Sequence, residues 1–209
     1  MKKALLLVLV FAGVLVGGVF AFRSWKTSPE YSLLRIKEAS ETNDPYLFKK
    51  YVDIEMVAEH MVGVILEELQ DSITETQDED AVFDVTALFF GILEMAKPMM
   101  VSAVLDQVER YFEDGVTPIE IGPIGSDESF LKTLPIDTGY FLGIGGAFLG
   151  STTKFLEKED RVATLGLEFV DDEGNLRLIE ILMRKYEDYW RVKEISNFKE
   201  IWAWVEGQE

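Results

Sequence analysis

The chain has 209 residues, a formal net charge of −18, one histidine and no cysteine. A chain of this length can bury a hydrophobic core as one domain, and 48 % apolar residues exclude a disordered protein. The acidic excess argues against binding to nucleic acid, which requires clustered Lys and Arg. The lack of cysteine excludes disulfides, thiol catalysis and Cys-ligated metal sites.

The amino-terminal residues, 1–22, have the pattern of an export or anchoring segment. Two lysines precede an uncharged, mostly apolar stretch, residues 4–22, which is longer than the usual signal-peptide core and nearly long enough to span a membrane. Trp25 follows between basic residues, as at a membrane interface, whereas Val19-Phe20-Ala21 has the spacing of a cleavage site. We therefore expect a signal anchor, or a signal peptide cleaved after Ala21. A terminal helix buried in the core is the remaining alternative.

This segment predicts that the rest of the chain lies outside the cytoplasmic membrane. The protein would be a single-pass protein of the inner membrane that faces the periplasm, or a periplasmic protein if the segment is cleaved. Residues 23–29 are expected to be a polar linker, and residues 30–209 a single extracytoplasmic domain. The membrane is thus a predicted partner through residues 4–22, and nucleic acid is not.

Helix signals dominate the first half of the predicted domain. Ser28-Pro29-Glu30 is typical of a helix start, with Ser as the cap and Pro in the first turn. That helix is expected to end at Asn43-Asp44-Pro45, and a short turn or helix over residues 46–51 follows. After Asp53, apolar residues recur at steps of three and four and predict a long helix. Its apolar stripe contains Ile54, Val57, Met61, Ile65, Leu69 and Ile73.

A second long helix is predicted over residues 81–113, after a polar break at residues 74–80. It is apolar around most of its circumference, and Pro98 is expected to kink or split it. Glu94 and Lys97 lie near its middle, and each would cost about 2.5–3.5 kcal/mol inside a membrane. Burial within the protein is therefore favoured over a membrane crossing.

Residues 114–150 are rich in Gly and Pro and break any regular element. They end in an uncharged stretch, Gly139 to Gly150, that is too short to span a bilayer. Two interpretations are open. The stretch is a buried loop or short helix whose glycines permit close packing, or it is an apolar surface that touches lipid through Phe141 and Phe148.

From residue 151 onward the hydrophobic period changes to two, which predicts strands. The expected strands are residues 152–158, 161–170, 176–185 and 189–196. Turns at residues 171–175 and 187–188 would place the apolar side chains on one face. These are Ala163, Leu165, Leu167, Phe169, Ile179, Ile181, Met183, Trp190 and Val192. The other face would be mixed, with Glu168, Glu180, Arg184, Arg191, Lys193, Leu178, Leu182 and Ile195. A last helix, residues 198–206, would close the domain, so the fold class is α+β with helices packed on a four-stranded antiparallel meander.

Several local patterns imitate ligand sites and are rejected. The run from Gly145 to Thr152 has the outline of a phosphate-binding loop, but Ser151 occupies the position of the required Lys. The neighbouring glycines lack the spacing and βαβ context of a dinucleotide site. A calcium loop around residues 171–175 would place Phe169 at its first ligand position. His60 lacks a partner at metal-ligand spacing. The sequence therefore predicts no metal site and no cofactor.

The mixed face of the sheet supplies the polar candidates. Glu168 and Glu180 are expected near Arg184, and paired acids beside a base can carry out acid–base chemistry in a cleft. Cross-strand ion pairs on a solvated face are the commoner arrangement. We therefore assign no catalytic residue and keep Glu168, Glu180 and Arg184 as candidate ligand-binding residues, together with Phe141 and Phe148.

Three segments, residues 31–39, 44–53 and 189–197, resemble a bacterial envelope family known as domain of unknown function 2939. Its members have an N-terminal membrane segment, a helical region and strands that end in Trp-Arg-Val, as residues 190–192 do here. This tripeptide is also similar to one in the NTF2-like (cystatin-like) superfamily, in which helices pack on a curved antiparallel sheet. Both resemblances imply a fold and a location, and neither implies an activity.

The sequence thus predicts a membrane-tethered extracytoplasmic binding module for a protein partner or an apolar small molecule, rather than an enzyme. The NTF2-like resemblance implies a ligand site between the sheet and the helices at Val57–Leu69 and Phe89–Met100. Two alternatives stay open. One is a lipid-handling envelope accessory protein that uses residues 139–150, and the other is an envelope hydrolase that uses Glu168 or Glu180 with Arg184.

Overall fold

The computed structural model describes residues 17–18, 20–75, 83–114, 150–170 and 174–205. Its helices are α1 (Pro29–Glu41), α2 (Pro45–Tyr51), α3 (Ile54–Glu75), α4 (Phe83–Asp114) and α5 (Phe198–Val205). Its strands are β1 (Thr152–Glu159), β2 (Val162–Val170), β3 (Leu176–Tyr186) and β4 (Tyr189–Ile195), in one sheet of order 1-2-3-4. Every neighbouring pair of strands is antiparallel. The predicted α+β class, with helices followed by a meander, is therefore confirmed.

The start of α1 follows the local signal in the sequence. The Ser28 hydroxyl accepts a hydrogen bond from the amide of Tyr31 at 3.2 Å, and Pro29 stands in the first turn. Asn43 has a φ of 52°, in the left-handed region, and ends the helical path. Asp44 then caps α2 by accepting a hydrogen bond from the amide of Leu47 at 2.9 Å. Residues 43–45, at which the sequence predicts the end of α1, thus also contain the N-cap and the first residue of α2.

The end of the predicted linker is tied to the sheet. Residues 20–26 are helical, and the carbonyl of Thr27 accepts a hydrogen bond from the indole nitrogen of Trp190 at 2.8 Å. The amide of Trp190 donates to the hydroxyl of Ser32 at 3.0 Å, and Trp190 itself is fully buried. These two bonds fix the entry to α1 against β4.

The helix α4 is continuous through Pro98 from Phe83 to Asp114, so the predicted split does not occur. Leu93, Ala96 and Met100 are buried on one side of it, which packs against α3. Across the parts of the chain that the structure describes, no helix combines the length and apolar character needed to cross a bilayer. Residues 1–16 and residue 19, which carry most of the predicted anchor, lie outside them.

The register between β2 and β3 is the predicted one. Ala163, Leu165 and Leu167 lie opposite Met183, Ile181 and Ile179, respectively, and all of these side chains are buried. Trp190 and Val192 in β4 add to this core face. Turn residues 187 and 188 connect β3 to β4. The helix α3 covers the core face, since it packs against β4 as well as α4, and α5 packs against α3 and β3.

The prediction for the end of β4 is wrong because the strand contains a β-bulge. Met183 lies opposite Val192 and Leu182 lies opposite Glu194, so Lys193 is an extra residue without a partner across the ladder. A one-residue insertion exchanges the two faces of the strand beyond it. Ile195 therefore lies on the core face opposite Ile181 and is buried, not on the mixed face. Lys193 is buried too, with only 7 % of its surface exposed.

The segment between α2 and α3 attaches to β4. Val52 forms a single parallel bridge with Val192, and the amide of Asp53 donates to the carbonyl of Val192 at 2.9 Å. This contact places the first turn of α3 beside the bulge.

Candidate ligand cavity between the helices and the sheet

A cavity of about 170 Å³ lies between the helical layer and the core face of the sheet. One wall is formed by β3 and β4, through Ile179, Ile181, Val192 and Ile195. The helix α3 forms the opposite wall through Ile54, Val57, Ala58 and Met61. Ala58 is fully buried and has the smallest side chain in the lining, so it leaves room where a larger residue would fill the space.

The remaining wall comes from the last three turns of α4. Val104 and Gln107 are buried, whereas Val108 and Tyr111 are half-buried. Phe48 of α2 and Ile54 of α3 are half-buried as well. Partial exposure of these lining residues indicates that the cavity reaches the surface at this end.

The polar side chains that the described residues contribute to the lining are neutral: Ser40, Gln107 and Tyr111. The Ser40 hydroxyl donates a hydrogen bond to the carbonyl of Ile36 at 3.2 Å, so its proton is satisfied inside α1. Burial raises the pKa of the Tyr111 phenol above its ordinary value, so this group is neutral at physiological pH.

Gln107 differs from the other two. The residue is 8 % exposed, and its amide nitrogen Nε2 is buried without a hydrogen-bond partner in the part of the chain that the structure describes. A buried donor without a partner costs about 1–3 kcal/mol, and native proteins contain few of them. Gln107 and Tyr111 are separated by one turn of α4, so they lie on the same side of that helix.

A second buried polar group lies near the start of α3. The ammonium of Lys193 forms a hydrogen bond and an ion pair with the carboxylate of Asp53. Arg191 places Nη1 at 3.5 Å from the same carboxylate, and its Nη2 donates to the carbonyls of Lys49 and Val52 at 3.2 and 3.4 Å. This cluster joins β4, at the bulge, to the segment that precedes α3.

Opposing effects set the pKa values within this cluster. Burial by itself would raise the pKa of Asp53, but the hydrogen bond from Lys193 and the charges of Arg191 and Lys193 outweigh it and lower that pKa. Burial would lower the pKa of Lys193, and its contacts with Asp53 and Tyr186 outweigh burial and raise it. Both side chains are therefore charged over the physiological range, and each is the partner of the other. Arg191 Nε, in the same cluster, is buried and has no hydrogen-bond partner among the described residues.

The structure brings together only part of the predicted polar site. Glu168 forms an ion pair with Lys154 at 2.6 Å across β1 and β2. Glu180 lies opposite Gly166, and Glu168 lies opposite Leu178, so the two glutamates are diagonal neighbours on the mixed face. Arg184 lies four residues along β3 from Glu180, a separation of about 13 Å. Arg184 lies opposite Arg191 of β4. The strand register therefore does not bring Arg184 next to Glu168 and Glu180.

The other predicted candidates, Phe141 and Phe148, lie outside the described residues. On α3 the cavity extends over Ile54–Met61 and so overlaps the expected range at Val57–Met61, whereas on α4 it lies beyond Phe89–Met100, at Val104–Phe112. The reason is packing, because Leu93, Ala96 and Met100 fill the interface with α3 at that end. Gln107 was not among the sequence candidates. An amide on the apolar side of α4, three residues after Val104, is the signal that could have identified it.

Metal ligands do not gather in the described part of the chain, where no three His, Cys, Asp or Glu side chains are arranged to hold an ion. His60 is half-buried on α3.

No protein-family model, no curated protein and no solved structure matches the chain. The resemblances to the envelope family and to the NTF2-like superfamily therefore stay predictions from the sequence.

Proposed function

We propose that this protein is a binding module that holds a small apolar molecule in the cavity between α3, α4 and the sheet. The observation that supports this is the cavity itself, about 170 Å³ inside an otherwise buried core. Protein interiors contain few voids larger than a water molecule. Side chains that border unfilled space lose packing contacts on that side, and a ligand that fits can restore part of those contacts.

The size and chemistry of the cavity favour a small ligand over a segment of a protein partner. An engineered apolar cavity of about 150 Å³ stays free of water and binds benzene. The present cavity is of similar volume, so it suits a ring or branched chain of about six to eight non-hydrogen atoms. Its lining is aliphatic and aromatic apart from three neutral polar side chains.

A tether to the outer side of the membrane is part of the proposal. Besides the sequence of residues 1–22, it is supported by exposed aromatic side chains that precede α1. Phe22 is 54 % and Trp25 46 % exposed, and the Lys26 ammonium lies 4.6 Å from the centre of the Phe22 ring. Aromatic rings beside a basic residue are typical of the membrane interface.

The hydrolase alternative has less support. An acid–base pair would require Arg184 close to Glu168 or Glu180, and the strand register separates them. The pairing of Glu168 with Lys154 also has an ordinary structural explanation.

The test is binding of toluene to the full-length protein in lipid nanodiscs, followed by ligand-observed NMR with empty nanodiscs subtracted. The variant Ala58→Leu fills the cavity, and we expect it to reduce affinity at least about tenfold. The matched control is Ala103→Leu, the same substitution at a half-buried position of α4 that does not line the cavity.

We expect the control to bind toluene as the wild type does. Absence of binding to the wild type, or equal binding to Ala58→Leu and the wild type, would overturn the proposal. Unfolding curves for each variant establish that a loss of binding is not a loss of folding.

A further inference from the structure

We infer that the cavity selects neutral ligands that carry a hydrogen-bond acceptor, such as a ketone, ester or amide, and that the Gln107 side-chain nitrogen donates to that acceptor. This inference rests on the proposed function and names the ligand class. Its basis is the contrast between one unsatisfied donor and an otherwise apolar lining.

The position of Gln107 gives the ligand an orientation. The walls from α3, β3 and β4 are aliphatic at the cavity, whereas the polar groups Gln107 and Tyr111 both come from α4. Ser40 donates its proton within α1. A ligand would therefore place its apolar body against the sheet and its acceptor atom towards α4. Tyr111, one turn beyond Gln107, is the second group that can donate there.

The same lining excludes charged ligands. Among the described residues, no Lys, Arg, His, Asp or Glu contributes to it, and burial of an ion without a partner is strongly unfavourable. A carboxylate would also approach a protein whose formal net charge is −18. Among molecules with an acceptor, the cavity is therefore suited to a neutral carbonyl compound rather than a carboxylate.

Three probes of similar size separate these features: methylcyclohexane without an acceptor, cyclohexanone with a neutral acceptor, and cyclohexanecarboxylate with a charged one. Their affinities are measured by ligand-observed NMR on the full-length protein in nanodiscs. The variant Gln107→Met keeps the approximate size of the side chain and removes the donor. Gln70→Met, the same substitution on α3 outside the lining, is the control.

For Gln107→Met we expect cyclohexanone affinity to fall about five- to tenfold, with methylcyclohexane affinity unchanged. Gln70→Met should leave both affinities as they are in the wild type. An equal change for the two probes in Gln107→Met would overturn the role of Gln107, while wild-type binding would still support the proposed function. Binding of cyclohexanecarboxylate as tight as that of cyclohexanone would overturn the selection of neutral ligands. If the wild type binds neither uncharged probe, the proposed function fails together with the inference.

Discussion

Two regions beside the first half of α3 bury polar side chains in opposite ways. In the Asp53–Lys193 pair at the bulge of β4, each charge has a partner of the opposite sign. On the α4 side of the cavity, the Gln107 nitrogen has no hydrogen-bond partner among the described residues. A buried pair whose charges neutralise each other fixes the local geometry of the chain. An unsatisfied donor, by contrast, can still form a hydrogen bond with a ligand. The two regions should therefore respond to substitution with opposite signs.

The largest effect is expected for Asp53→Asn, which keeps the shape of the side chain and removes its charge. Lys193 would then be a buried cation that lacks its carboxylate, so we expect a loss of about 3 kcal/mol in the free energy of unfolding. Urea unfolding of the full-length protein measures this difference in the free energy of unfolding. Lys193→Met is the comparison, and it should cost less because Arg191 still neutralises Asp53. If Lys193→Met costs as much as Asp53→Asn, an unpaired Lys193 is not the source of the loss.

Acid should remove the same stabilisation from the wild type. The pKa of Asp53 is lowered from its ordinary value of 3.8 in the folded state, so its contribution is present above that pH and is lost as the pH falls through the folded pKa. The difference in stability between the wild type and Asp53→Asn should be constant from about pH 5 to 8 and shrink below about pH 4. Unfolding curves at a series of pH values test this. A difference that persists at low pH would show that the carboxylate charge is not its cause.

Gln107→Met should act in the opposite direction, with a smaller magnitude. Without ligand, removal of the unsatisfied donor should raise the free energy of unfolding by about 1 kcal/mol. The control Gln70→Met should not show this gain, because Gln70 has an interaction to lose. A loss of stability in Gln107→Met, measured by the same urea series, would mean that the amide is satisfied in solution and that the contrast with Asp53 is false.

The smallest effect is expected for Glu168→Gln. Its partner Lys154 is 54 % exposed, and exposed ion pairs contribute between about 0 and 1 kcal/mol. We expect a loss below about 0.5 kcal/mol, reduced further by salt. A loss as large as that of Asp53→Asn would show that burial does not distinguish paired polar groups in this domain.

The sequence predicts the sheet well because its register depends on local features. In β2 and β3, the observed register places Ala163, Leu165 and Leu167 on one face with Ile179, Ile181 and Met183, and the two-residue turn at residues 187–188 extends that register to Trp190. The bulge at Lys193 is not predicted, although Lys193 and Glu194 are consecutive polar residues that interrupt the alternation before Ile195. In the folded chain Lys193 pairs with Asp53, which is 140 residues away in sequence.

The cavity is harder to predict for a different reason. The helix α4 is apolar around most of its circumference, so its periodicity does not show which side meets α3 or where the contact ends. Whether Ala58 leaves a void depends on the side chains of five other elements, α1, α2, α4, β3 and β4. For Gln107, the sequence shows an amide among apolar residues, and only the packed structure shows that the amide has no partner.

The bridge between Val52 and Val192 has a consequence for the behaviour of this protein at high concentration. An edge strand with free backbone groups can recruit a strand from another chain and begin aggregation. At β4 the segment from Val52 to Asp53 occupies part of that edge. At the opposite edge β1 has exposed charges at Lys154, Glu157 and Lys158, and its pairing with β2 is irregular between Thr153 and Phe155. Within the described residues, both edges of the sheet thus discourage strand addition between copies of the chain.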